Sequence, residues 1–160
     1  MSFSAPKGTR GVRMSGPVKS IIKWVNGLTA DRIGRTGKAF GTMPALVLTT
    51  VGRKSGAERR TPLAYIPDGQ GGWLIIAAYA GAVNNPAWYY NLSANPDRVR
   101  VELDGRSYDV TAAELHGSDR DAAWVRIVSA NKRFAKYQQK TDRELPVIRL
   151  TSRGAGRDGG

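Results

Sequence analysis

Short β-rich runs separated by tight turn signals constrain the fold of this chain more than any other feature. The run ALVLTTV is followed by the glycine-containing turn GRKSGAE and then by a returning β-rich run. Asp104-Gly105 is a strong two-residue hairpin signal between two further runs. Short links of this kind favour antiparallel neighbours over βαβ crossovers. The predicted strands cover residues 45–51, 60–66, 73–78, 98–103, 106–115 and 145–150.

Helical patterns occur before and between these strands. Apolar residues in the segment 15–33 recur at the spacing of an amphipathic helix, and PAWYYNL begins with a proline suited to a helix start. Two more helical stretches lie between residue 118 and the last strand. The fold class predicted is mainly β (α+β), a six-stranded antiparallel barrel with peripheral helices. We expect a flexible basic tail over 1–14, one domain over 15–151 and a flexible C-terminal tail over 152–160.

The composition of the chain limits the kinds of functional site that it can form. The chain has no cysteine and one histidine, His116, which excludes disulfides and thiolate sites and argues against a multi-histidine metal centre. If the protein is an enzyme, a cofactor carries the reaction. The net charge is +12, and residues 1–60 hold 12 basic and two acidic side chains. This charge predicts an anionic partner near the N-terminal third: a nucleic acid, a membrane surface or a small molecule.

The turn GRKSG, residues 52–56, has two interpretations. Its glycines permit tight backbone conformations that point N–H groups at one centre, as in an anion nest. Arg53, Lys54 and Arg59 add positive charge, and arginine has forked donors that suit phosphate or carboxylate. The alternative is a basic turn that only faces solvent. The pattern does not match a Walker phosphate-binding loop.

Three further segments also have two interpretations each. The aromatic run NNPAWYYNLSANP forms either a wall for a planar ring or a helix that packs Trp88 into the core. Phe134 and Tyr137, one helical turn apart, are either core or pocket residues. The amphipathic segment over 17–33 either packs on the barrel or rests on an anionic membrane.

Taken together, these segments resemble the deazaflavin-dependent nitroreductase family of actinobacteria. The resemblance lies in the order TTxGRKSG…R…PL, an apolar strand ending in Ala77-Ala78, NPxWYxNLxANPxxVxV and TDRxLPV. It covers about residues 40–150. It implies a split β-barrel like that of flavin reductases and pyridoxamine-phosphate oxidases. It also implies coenzyme F-420, an 8-hydroxy-5-deazaflavin with a phospholactyl and polyglutamate tail, as the hydride donor.

The resemblance further assigns residues to the coenzyme. Basic and hydroxyl side chains of the turn would hold the phosphate and the tail, and the second strand would run along the ring. The end of the apolar strand would lie opposite, while the aromatic segment and a late phenylalanine would close the site. The residues implied are Arg53, Lys54, Ser55, Arg59, Arg60, Thr61, Pro62, Leu63, Ala64, Ala77, Ala78, Tyr79, Ala87, Trp88, Tyr89, Tyr90, Asn91 and Phe134.

Hydride acceptors implied by the resemblance are quinones, activated alkenes such as enones, and nitro compounds. Tyr65 and Tyr137 are candidate catalytic residues, as proton donors or substrate-orienting groups, and no metal is expected. The expected location is cytoplasmic, with contact to the inner face of the membrane through residues 17–33, and a homodimer is a further expectation. The alternatives are an FMN-dependent split-barrel reductase and a basic module that binds nucleic acid or a membrane surface; the leading hypothesis expects no nucleic acid partner.

Overall fold

One antiparallel sheet organises the chain. The computed structural model describes Phe3, Gly8 and residues 44–69, 71–78 and 85–158, with side chains as far as residue 153. Seven strands pair in the order β2-β1-β5-β6-β7-β4-β3. The curled antiparallel sheet with peripheral helices confirms the predicted fold class. The strands are β1 (Ala45–Val51), β2 (Glu58–Ala64), β3 (Ile66–Pro67), β4 (Trp73–Ile76), β5 (Val99–Leu103), β6 (Arg106–Glu114) and β7 (Val147–Asp158).

The predicted number of six strands is wrong by one, and the reason lies after β2. The returning run was predicted as one strand to residue 66, but the chain leaves β1 at Ala64 and pairs next with β4. Ile66 lies opposite Leu74 and Pro67 opposite Trp73. Curling of the sheet therefore divides one β-rich run between its two edges.

Turn chemistry sets the register of the β5–β6 hairpin. Asp104 and Gly105 have φ values of 51° and 77°, and Leu103 pairs with Arg106 across them. Positive φ at both central residues is the type I′ geometry that matches the twist of adjoining strands. The hairpin predicted from Asp104-Gly105 is confirmed.

Strand β7 extends beyond the predicted end of the domain. The sequence predicted a tail from residue 152, whereas the structure pairs β7 with β6 through Arg106↔Asp158. β6 is nine residues long, so its first half presents backbone groups that only a longer β7 can pair. Two register shifts, between Arg106 and Tyr108 and between Asp109 and Val110, accommodate the glycine-rich sequence there.

Three described helices flank the sheet: α1 (Ala87–Ala94), α2 (Gly117–Ala130) and α3 (Arg133–Gln139). All three were predicted. Pro86 directly precedes α1 with φ −67°, close to the angle that its ring imposes. Among the described residues, no helix is long and apolar enough to cross a membrane. The predicted N-terminal helix lies outside the described residues.

Alternation along β4 divides the core in two. Ile75 and Ala77 point into a first cluster that includes Leu48 and, from α1, Trp88 and Leu92. Their neighbours point to the other side, into a second cluster with residues of α2 and α3: Leu74, Ile76, Ala78, Ile127 and Phe134. A strand buried on both faces reads as a continuous apolar run, which is what WLIIAA shows.

The N-terminal segment is described at two positions. Phe3 packs on Tyr89 with ring centroids 5.8 Å apart. Gly8 is buried, and a Cβ atom there would lie 2.6 Å from Asp142 Oδ1 and 2.8 Å from Arg143 Cβ. Both residues fall in the segment predicted as a flexible tail, yet both contact the folded domain.

Candidate active site

The basic turn between β1 and β2 is a closed structure. Gly52 N–H donates to Ala57 O at 2.7 Å, and Gly56 N–H donates to Gly52 O at 2.8 Å. Gly56 has φ +72°, a conformation that disfavours any residue with a side chain. Ser55 Oγ accepts a hydrogen bond from Ala57 N–H at 3.1 Å, so its own hydroxyl proton stays available to a ligand.

Helix α1 is joined to this turn by Asn91. Its Oδ1 accepts from Arg53 N–H at 3.1 Å, and its Nδ2 donates to Thr50 Oγ1 at 3.4 Å. The Arg53 guanidinium lies over the Tyr90 ring, with Cζ 4.7 Å from the ring centroid. The basic turn and the aromatic segment, which the resemblance assigned to one site, therefore contact each other. Thr50 was not among the predicted site residues.

Strand alternation separates the basic residues of β2. Arg59 lies opposite Thr50, on the face that carries α1, whereas Arg60 lies opposite Thr49 on the other face. Arg60 Nη2 lies 3.0 Å from Glu102 Oε2 on that second face. In the part of the chain that the structure describes, Lys54 and Arg59 form no ion pair, and both are exposed. Arg59 therefore lies on the face where Arg53 contacts Tyr90. We refer to Arg53, Lys54 and Arg59 of this turn as the cation cluster, and Arg60 is not part of it.

The same alternation applies to the rest of β2. Thr61 pairs with Leu48 and Leu63 with Leu46, so both face the first cluster. Pro62 and Ala64 pair with Val47 and Ala45, and face the opposite side. Because a β-strand alternates, side chains from only half of this predicted run can share one pocket.

Tyr65 follows β2 and packs against the first cluster. Burial raises the pKa of its phenol, and the negative charge of Asp104 raises it further. Tyr65 therefore keeps its proton throughout the neutral range. The other candidate donor, Tyr137, packs against the second cluster, with its ring 6.1 Å from that of Phe134. The structure does not bring Tyr65 and Tyr137 together, and Phe134 lies with Tyr137.

A buried arginine that the predicted site omitted holds the end of β4. Arg143 is 2% exposed, and its guanidinium donates to the carbonyls of Ala77 and Ala78, at 2.9 Å each, and to Asn85 Oδ1. Burial lowers the pKa of Arg143, and Tyr90 partly offsets this effect. The arginine links β4 to the residues just before α1. Tyr79, predicted beside Ala78, lies outside the described residues.

The three adjacent aromatics of α1 have different environments. Trp88 and Tyr89 are buried in the first cluster, as the packing interpretation predicted for Trp88. Tyr89 donates its hydroxyl proton to the buried carboxylate of Glu114, whose Oε2 lies 3.0 Å from His116 Nε2. Tyr90 is half-buried beside Arg53, and Ala87 is exposed. Of the three aromatic rings, the one next to the cation cluster is Tyr90.

These residues fit the acidic coenzyme that the resemblance implies. Arg53, Lys54 and Arg59 are exposed at this turn, and forked guanidinium donors suit phosphate and carboxylate groups. The hydroxyl of Ser55 adds a donor there. Leu63, Tyr65 and Tyr90 provide partly buried apolar and aromatic surface on the adjoining first cluster.

Comparison with known proteins gives the family. A family model described as F420H(2)-dependent quinone reductase matches residues 25–152. The F420H(2)-dependent quinone reductase of Mycobacterium tuberculosis strain H37Rv is 37% identical over 146 residues, covering 89% of this chain and 93% of that protein. A solved F420-H2 dependent reductase (FDR-A) is 38% identical, with a TM-score of 0.61 over 68% of this chain and 94% of that one.

A second solved structure, described as a domain-swapped dimer, is 36% identical, with a TM-score of 0.62 over 80% of this chain and 97% of that one. The family match spans most of the chain and includes the basic turn, α1 and Arg143. The sequence relative covers 89% of this chain and 93% of its own length at 37% identity. This chain belongs to the F420H(2)-dependent quinone reductase family and is an F-420-dependent oxidoreductase.

Proposed function

We propose that this chain reduces a quinone with reduced coenzyme F-420, and that the cation cluster Arg53, Lys54 and Arg59 holds the acidic part of the coenzyme. The observation that carries the proposal is the pair of hydrogen bonds made by the Asn91 side chain, which attach the basic turn to the aromatic helix α1. A coenzyme with a charged tail and a flat ring needs both kinds of surface next to each other. When bound, the reduced deazaflavin supplies a hydride, since it favours two-electron transfer.

The chain's own residues would bind the coenzyme and orient its ring. Arg53 and Arg59 supply forked donors to an anion, Lys54 supplies a compact charge, and the Ser55 hydroxyl donates one hydrogen bond. Thr61 and Leu63 face the first cluster and would line the ring, beside the end of β4 that Arg143 fixes. Such fixed geometry lowers the entropic cost of bringing donor and acceptor together.

Quinone reduction by a hydride also consumes a proton. We propose that the Tyr65 hydroxyl donates this proton, because a tyrosine is protonated at neutral pH and because Tyr65 packs on the same cluster as Leu63. Tyr137 stays a prediction, with the second cluster as its surroundings. Activated alkenes and nitro compounds as acceptors also stay predictions, whereas a quinone-type acceptor is the one that the family description names.

A binding titration and a turnover assay test the proposal. Reduced coenzyme F-420 should be reoxidised in the presence of menadione, and coenzyme fluorescence should report binding. The double variant Lys54→Ala, Arg59→Ala should weaken binding by about a hundredfold, since each lost charge-assisted contact accounts for about tenfold. The matched control is Lys132→Ala, Arg133→Ala, which removes the same charge from exposed positions at the start of α3.

Two results would contradict the proposal. Wild-type protein that fails to bind coenzyme F-420 rules it out. Protein that purifies yellow with bound FMN supports the flavin-dependent alternative instead.

Membrane binding and dimerisation are tested by separate measurements. We propose that residues 17–33, which lie outside the described residues, bring the enzyme to a membrane that holds its quinone. Sedimentation with vesicles that contain anionic lipid should carry the wild-type protein down, and Lys19→Ala, Lys23→Ala should reduce the bound fraction. Self-association into a homodimer is tested by sedimentation velocity.

A further inference from the structure

A second basic site lies on the other face of the hairpin that carries the cation cluster. Thr49, Arg100 and Asp109 occupy neighbouring positions across β1, β5 and β6, so their side chains project from one face. This is the face opposite Leu48 and Thr50, which point to the first cluster and to α1. These three residues line a cleft of about 250 Å³ together with Glu58, Arg98 and Arg153.

A buried donor in this cleft has no partner. Thr49 is 4% exposed, and its Oγ1 makes no hydrogen bond. Buried hydroxyl groups in folded proteins are almost always hydrogen-bonded, because leaving one unsatisfied is unfavourable. An unpaired hydroxyl that lines an open cleft is therefore a hydrogen-bonding group that a ligand in the cleft can contact.

The charges around the cleft favour an anion that also carries donors. Three arginines face two carboxylates, Glu58 and Asp109. Arg100 lies 3.5 Å from Glu58, and Arg153 donates to Asp97 O at 2.8 Å. Arg98 is exposed and forms no ion pair with any other described residue. A ligand with both carboxylates and amide N–H groups would satisfy the arginines, the acidic side chains and the threonine at once.

We propose that this cleft binds the distal glutamates of the coenzyme F-420 tail, an inference that rests on the proposed function. A glutamate chain carries the required carboxylates and amides. Glu58 and Val51 form the last pair of the hairpin, directly beside Gly52 and Arg59. The cation cluster and the cleft therefore meet at the hairpin tip, on its two faces. An extended residue spans about 3.5 Å, so a tail of several glutamates can pass around the tip, whereas a single glutamate stays at the turn.

Tail length provides the test. The affinity of coenzyme F-420 carrying one glutamate is compared with that of coenzyme carrying five or more, by fluorescence titration. In the wild type the long tail should bind about tenfold more tightly, as expected for one or two added charge-assisted contacts. Arg98→Gln should abolish this difference and leave the affinity for the one-glutamate form unchanged.

Two further variants control for folding and charge. Thr49→Val removes only the unpaired hydroxyl, so it should fold as well as the wild type and still reduce the long-tail advantage. Arg106→Gln removes the same charge as Arg98→Gln from an exposed position at the start of β6, outside the cleft, and should keep the advantage.

The outcomes separate this inference from the proposed function. If neither coenzyme form binds, the proposed function fails. If both forms bind equally well to the wild type, the proposed function stands and this inference is overturned. A cleft that responds to inorganic phosphate in a thermal-shift assay, with no effect of tail length, would indicate an independent anion site and would also overturn it.

Discussion

Arg143 shows how one buried charge can fix the shape of a site. Its guanidinium contacts two backbone carbonyls and Asn85, so three acceptors from two segments depend on one side chain. A buried charge of this kind is tolerated because its donors are satisfied. Removal would leave the carbonyls of Ala77 and Ala78 without this donor.

Substitution of Arg143 should therefore lower the stability of the folded protein. We expect Arg143→Ala to lower the free energy of unfolding by about 3 kcal/mol, since several buried acceptors lose a charged partner. Arg143→Lys should recover only part of this, because an ammonium group cannot reproduce the planar fork. Urea denaturation measures both, with the exposed Arg133→Ala as the control. Equal stability of the wild type and Arg143→Ala would contradict this role.

Tyr65 gives a pH-dependent prediction at the same scale. Its folded-state pKa is raised above the unfolded value of about 10, so the folded state holds the proton more tightly. The resulting stability is fully present below about pH 10 and is lost as the pH rises through the folded pKa. As the pH rises above about 10, the stability of Tyr65→Phe should decline less than that of the wild type. Parallel stability curves from denaturation across this range would refute the prediction.

At the scale of elements, α1 is attached to the sheet at two points. Asn91 holds the β1–β2 turn, and Tyr89 donates to Glu114 near the end of β6. The helix has eight residues, too short to be stable by itself, so these contacts and its buried Trp88 and Leu92 keep it in place. The sequence predicted the helix correctly, and no local pattern indicated what it is attached to.

Loss of the Asn91 contacts should weaken coenzyme binding. Asn91→Ala removes the acceptor for Arg53 N–H and the donor to Thr50, so the turn loses its fixed position beside Tyr90. We expect the coenzyme dissociation constant to rise about tenfold, in line with one or two hydrogen bonds. Ser93→Ala, at an exposed position of the same helix, is the matched control. Equal effects of the two variants would show that Asn91 has no special role.

At the scale of the whole molecule, charge is the dominant property. The net charge of +12 is concentrated in the first 60 residues, and the cation cluster lies within that part. Exposed charges attract an anionic coenzyme at long range, and salt screens this attraction over a Debye length of about 8 Å at physiological ionic strength.

Coenzyme affinity should therefore fall with salt. We expect the dissociation constant to rise by about tenfold between about 50 and 500 mM salt, as the Debye length shortens. The slope should be smaller for Lys54→Ala, Arg59→Ala than for the wild type, and unchanged for Lys132→Ala, Arg133→Ala. Fluorescence titration at four salt concentrations measures it. An affinity that does not change with salt would place the binding energy elsewhere.

The sequence by itself determined most of the strands, the hairpins, the short helices and the basic turn, because these depend on backbone neighbours a few residues apart. Turn residues such as Asp104-Gly105 fix φ locally, and apolar alternation or runs need no distant partner to be recognised. The family, too, could be identified from the order of motifs along the chain.

Only the tertiary structure decided which of these residues share a surface. Arg53 and Asn91 are 38 positions apart, and Arg143 and Ala77 are 66 apart, so their contacts arise from the closure of the sheet. The side on which Arg59 and Arg60 lie follows from register, and a one-residue shift would exchange them. The extra strand β3 and the long β7 also depend on the tertiary structure, because a strand extends only as far as a neighbouring strand is available to pair with it.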